Sequence, residues 1–175
     1  MSACIVEQIA QTIVARLEQQ TTANGFSTPL GNVYRPTRNG QFITSDGTIV
    51  STVGDQSAVL DQESDKADGA ASAMGSSSRR SRIATFSIYL FSIPSERDKS
   101  QATDAATNDL IASSIKAVAT PEDEAVDWGR MNGLAINSWV GDCTLFKPQE
   151  GEYSGAVIQI MVQYRTPEND PYTAA

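Results

Sequence analysis

The stretch Ala156–Ala175, AVIQIMVQYRTPENDPYTAA, decides how this chain is read. Ile158, Ile160, Val162 and Tyr164 fall on one face, and Gln159, Met161, Gln163 and Arg165 on the other. Period-two alternation of this kind marks a β-strand buried on one side. The pattern holds until Thr166-Pro167, close to the last residue, where chains commonly fray. A strand kept in pattern this far needs partners, and the remaining sequence must supply them.

Working back from that strand, Leu134–Phe146 reads as another, joined to it by the turn sequence PQEGEYSG. Ile83–Ile93 (IATFSIYLFSI) has Phe86, Ile88 and Leu90 on one face and Ile83, Tyr89, Phe91 and Ile93 on the other. A strand apolar on both sides belongs in the middle of a sheet or under two layers. Pro94 ends it. Ser95-Glu96-Arg97-Asp98 resembles a capping box, and a helix is predicted to run to about Val118 with Leu110, Ile111, Ile115 and Val118 as its buried stripe. At the other end of the sequence Ile5, Ile9, Ile13 and Leu17 recur every fourth residue, widened by Val6 and Val14, so an amphipathic helix is predicted there. Ser2 is its expected N-cap and Asn24-Gly25 its stop. Val33-Tyr34-Arg35 is a short extended piece closed by Pro36, and Gln41–Val53 reads as a hairpin turning at Asp46-Gly47.

Between them, 54–81 is rich in Ser, Ala, Gly and Asp and nearly empty of large apolar residues. Such composition cannot bury enough surface to offset the entropy of ordering, so a long extended loop or arm is expected. The whole, 1–175, is expected to be a single α+β domain with a C-terminal tail at 166–175. Its expected core is a mostly antiparallel sheet of four to five strands with two helices packed on one face, plus that arm.

Composition narrows the chemistry. The net charge of −8 opposes binding of nucleic acid through its phosphates and opposes an anionic membrane surface. No apolar run approaches the ~20 residues of a membrane span, and the first residues carry charges and glutamines inside the apolar pattern. A soluble chain made in a cytoplasm is the expectation, with Cys4 and Cys143 as free thiols. Histidine is absent, which removes the commonest general base and the usual zinc ligand, and no phosphate-cradling glycine motif occurs. No catalytic residue, metal or cofactor is expected. Glu122, Asp123, Glu124 and Asp127 form an acidic group after Pro121 without EF-hand spacing, which suits a solvated turn better than a cation site. Trp128 and Trp139 read as core or interface aromatics. Arg79, Arg80 and Arg82 stand at a strand entrance, where arginines commonly donate salt bridges between chains.

The order of these pieces resembles the tail terminator family of long-tailed bacteriophages, the proteins that cap the tail tube. The residues that carry the resemblance are the N-terminal amphipathic helix and GNVYRPTR at 31–38. They continue with the strand RIATFSIYLFSI, the helix from Ser95, and VQYRTPENDP at 162–171. The resemblance implies a virion structural protein rather than an enzyme, a homohexameric ring stacked on the last ring of the tail tube. The head connector would dock on its other face, and DNA would pass through the lumen without specific binding. Its place would be the head-proximal end of the tail, after assembly in the host cytoplasm. On that reading Arg79, Arg80, Arg82, Tyr89, Phe91, Tyr164 and Arg165 are candidate contacts between subunits. Asp61, Glu63, Asp65 and Asp68 become carboxylates of the arm or lumen that repel passing phosphates. Another tail completion or neck protein is the near alternative, and a small acidic binding or catalytic domain the more distant one.

Overall fold

The computed structural model describes residues 3–37, 39–52, 54, 56–68, 79–92, 103–119, 131–146, 154–167 and 170–172. Helix α1 spans Ile5–Glu18 and buries Ile5, Ile9, Ile13, Val14 and Leu17, the stripe that its spacing predicts. Its N-cap is Cys4 rather than Ser2, and no side chain caps it. The helix ends one turn before the expected stop; a short 3-10 turn follows at Thr22–Asn24, and Gly25 closes that turn in the left-handed region. Helix α2 spans Thr103–Ala119, with Leu110 and Val118 buried and Ile111 and Ile115 half-buried.

Among the described residues seven strands form one sheet: β1 (Asn32–Pro36), β2 (Phe42–Thr44), β3 (Ile49–Val50), β4 (Ser57–Ala67), β5 (Arg79–Ser92), β6 (Asn137–Phe146) and β7 (Ser154–Pro167). Their order is β3-β2-β1-β4-β5-β7-β6. The expected mostly antiparallel sheet of four to five strands is therefore wrong: this is a seven-stranded mixed sheet in which β1 and β4 run parallel. A parallel neighbour needs a crossover, usually a helix. Here the β2–β3 hairpin takes that place. It turns through Gly47, with Thr44 and the Thr48 amide bonded to the Asp46 carboxyl. The Gly31 amide donates to Gln56 O at 2.7 Å, which fixes the two strand starts side by side.

The arm expected over 54–81 is also overturned for 57–67, which is strand β4 and pairs antiparallel with β5 from Ser57↔Phe91 to Ala67↔Arg82. Its first half is not poor in core: Ala58, Val59 and Leu60 are buried. Its polar second half needs no core of its own, because β5 satisfies its backbone along the ladder. A register shift between Gln62 and Ser64 marks a bulge in β4.

Alternation then sorts the side chains. Ala58 and Leu60 of β4, Phe86, Ile88 and Leu90 of β5, and Ile158, Ile160 and Val162 of β7 join both helices in one core. The other face carries Ile83, Tyr89, Phe91, Val157 and Met161, all half-buried. On that face Gly155 of β7 lies opposite both Phe91 of β5 and Phe146 of β6. The two rings meet across the glycine with centroids 5.8 Å apart. A Cβ at 155 would collide with Leu90 O and with the Phe146 ring. One of these contacts is backbone, so it cannot yield cheaply. Gly155→Ala should lower unfolding stability by roughly 1–3 kcal/mol, the range for overpacking, as measured by urea denaturation with fluorescence detection; an unchanged midpoint would show that the strands part without cost.

Candidate functional site

The paired ends of β4, β5 and β7 bring together most of the residues that the sequence singled out. Arg82 lies opposite Tyr164 on β7 and Ala67 on β4. Its Nε donates to both carboxyl oxygens of Asp65, at 2.9 and 3.0 Å, and its Nη2 donates to Asp65 O at 3.0 Å. The Tyr164 hydroxyl donates to the same carboxyl at 2.9 Å. This is a charge-assisted cluster on the helix side of the sheet, half shielded from water. The hydrogen bond to Asp65 holds the Arg82 guanidinium more firmly protonated than usual. Burial, followed by the bond to Asp65, pushes the Tyr164 phenol above its ordinary value of 10.0.

A second cluster lies on the opposite face of the same strand ends. Asp68, buried, accepts from Ser81 Oγ at 3.2 Å and from Gln163 Nε2 at 2.6 Å, and its amide donates to Ser81 O at 3.0 Å. Both clusters bind β4, β5 and β7 to one another, so Arg82 and Tyr164 each make bonds within the chain. Asp61, Glu63, Asp65 and Asp68 are accordingly sheet residues or end a sheet strand, not arm residues. Asp61 is half-buried opposite Ser87, whose hydroxyl donates to Glu63.

Arg80 and Arg165 are exposed at the same end, opposite Thr166 and Ser81 respectively, and Arg79 holds the position opposite Pro167. Lys66 of β4, opposite Ile83, is exposed beside them, and nothing in the sequence pattern marked it. Tyr89 and Phe91 lie towards the other end of β5, half-buried on the face away from the helices. Trp139 is half-buried on β6; Trp128 and the acidic group at 122–127 lie outside the described residues.

The edge strand β6 is the other surface that the sequence did not reveal. It is last in the sheet order, and Val140, Leu145 and the preceding Ile136 are 38%, 45% and 40% exposed. Val140 and Leu145 share a face with Ile160 and Ala156 of β7, the helix-side face, yet they are not covered. A bulge between Val140 and Cys143 carries Gly141 and the exposed Asp142. At the opposite edge of the sheet Ile49 of β3 is 57% exposed. Cys143 and Cys4 are free thiols. Among the described residues no group of His, Cys, Asp or Glu is placed to hold a metal ion, and no helix is long and apolar enough to cross a membrane. No protein-family model matches the chain, and no curated protein matches it.

The phenol gives a test with a defined sign. Folded Tyr164 keeps its proton to higher pH than the unfolded chain does, so the folded state binds more protons above pH 10.0 and stability falls as pH rises past that value. Tyr164→Phe should cost about 0.5–1.5 kcal/mol near neutral pH, one net hydrogen bond, and should flatten the alkaline fall. Urea midpoints of both chains between pH 8 and 11 measure this; parallel pH profiles would refute the assignment of the phenol to Asp65.

Proposed function

We propose that this chain is a structural protein of the tail terminator kind. Copies would close into a ring, a hexamer by the resemblance, that caps the tail tube of a long-tailed bacteriophage and receives the head connector. The reading is supported by the order and wording of the segments GNVYRPTR, RIATFSIYLFSI and VQYRTPENDP. The observation that carries the ring is the placement of exposed apolar side chains on the two unlike edges of the sheet. Val140 and Leu145 with Ile136 stand at one edge and Ile49 at the other. Water-exposed apolar residues gathered on a strand edge mark an association surface. Unlike surfaces on one copy give heterologous contacts, which close into rings when the rotation permits.

The acidic balance of the chain suits a lumen through which DNA passes without being held. A terminator must accept a tube ring on one side and stop growth on the other, which a two-faced ring of one protein can do. Deleting the gene from the phage should leave unjoined heads and tails, with tubes of irregular length, in electron micrographs of lysates. Normal tails and undiminished infectious titre would end this reading.

A further inference from the structure

Among the described residues β3 and β6 are the outer strands of the sheet, and their directions are related. Going from β6 to β3, the chain direction reverses at β6–β7, β7–β5, β5–β4, β1–β2 and β2–β3 and is kept at the parallel β1–β4 pair. Five reversals leave β3 antiparallel to β6. Seven strands with every pair antiparallel would have left them parallel. In a ring, a copy placed so that the sheet runs on keeps its strand direction and its faces. Strand β3 of one copy then arrives antiparallel at β6 of the next, the pairing that is slightly more stable per residue.

The faces agree independently. Ile49 lies opposite Ile43, and Ile43 opposite Arg35, which shares a face with Val33 of the core and pairs with Glu7 of α1. Ile49 is therefore on the helix side of the sheet, as are the exposed Val140 and Leu145. Between those two on the same face stands the exposed Cys143, opposite Ile158. The backbone of β3 is also aimed outward. The Thr44 amide donates to Thr48 O at 3.0 Å, so the next pair, Ile43 and Ile49, is of the non-hydrogen-bonded kind, and the Ile49 amide and carbonyl point away from β2. We infer that β3 of one copy pairs antiparallel with β6 of a second copy, Ile49 settling between Val140 and Leu145 beside Cys143. A second copy is the occupant because the chain itself supplies an edge of matching direction with its apolar residue on the matching face. Each copy keeps one edge of either kind, so the contact is head-to-tail. The inference rests on the ring reading and specifies its seam.

Oxidative cross-linking of the full chain tests it. Ile49→Cys, made together with Cys4→Ala, leaves Cys143 as the second thiol, and a disulfide forms where two such side chains approach on one face. Nonreducing gels should show a ladder of dimers, trimers and higher species, since each copy offers one thiol at either edge. Thr48→Cys in the same background points to the opposite face and should link about tenfold or more slowly. Cys143→Ser should abolish the ladder. Ile49→Asp and Leu145→Asp, both at exposed positions, should each weaken self-association about tenfold or more in sedimentation. Their equimolar mixture should form a 1:1 dimer, because each variant keeps the edge that the other lacks; circular dichroism checks that both fold. Dimers alone in the cross-linking would mean that like edges meet, and would overturn the seam. So would equal rates at positions 48 and 49, or a parent that is monomeric at every concentration. A ladder alongside normal tails after gene deletion would keep the seam and end the terminator reading, whereas unjoined tails without a ladder would do the reverse.

Discussion

Everything in this molecule hangs on β5 having both of its edges paired and one of its faces sealed beneath the helices. Its backbone pairs with β4 on one side and with β7 along its whole length on the other. Phe86, Ile88 and Leu90 are 0–1% exposed beneath the helices. Burial of each such side chain contributes about 1.5–3 kcal/mol relative to leaving it in water. The face away from the helices is only half-buried, so one side of the strand is dry and fixed while the other remains a surface. Because β5 dictates the register of two neighbours at once, it also dictates which polar residues meet at the strand ends. The Asp65–Arg82–Tyr164 cluster and the Asp68–Ser81–Gln163 cluster are consequences of that register.

Those clusters explain why several arginines in a row do not have one role. Arg82 points to the helix side, where Asp65 and Tyr164 meet it, and it is consumed by holding the sheet together. Arg165, opposite Ser81, points the other way and is exposed. Alternation thus divides a run of like charges into a structural half and a half that water or a partner can reach.

How much of this could be read from residues alone follows from the range of the interactions. Helix α1 and strands β5 and β7 were legible, because their periodicity is local and their buried stripes are strong. Strand β4 was not. Its Ala58-Val59-Leu60 core is short, and Asp61–Lys66 is polar on both faces, so composition argued for an arm. Only the ladder supplied by β5 makes a strand of it, and that ladder is not a property of 57–67. The parallel β1–β4 pair was hidden for the same reason, as was the position of β6 at an edge: strand order is a non-local fact. In the candidate site the arginine cluster was visible, but its division was not. Asp65 lies 17 residues from Arg82 and 99 from Tyr164, and Lys66 joins the exposed cations through register alone.

The persistence of the last strand now has a physical cause. Strand β7 lies between β5 and β6, and β5 continues to pair with it as far as Pro167, beyond its last β6 partner at Gln163. Beyond Pro167 the chain returns to the N-terminal helix, where the Ile5 amide donates to Pro171 O at 2.9 Å. The first amides of a helix lack intrahelical acceptors, and Cys4 provides no side-chain cap. The Pro171 carbonyl satisfies the first of these amides, which would otherwise turn to water. Helix α1 packs on β1 and β4, whereas the tail departs from β7 on the far side of β5. One hydrogen bond therefore ties the first turn of α1, on the β1–β4 side of β5, to the segment that follows β7 on its other side.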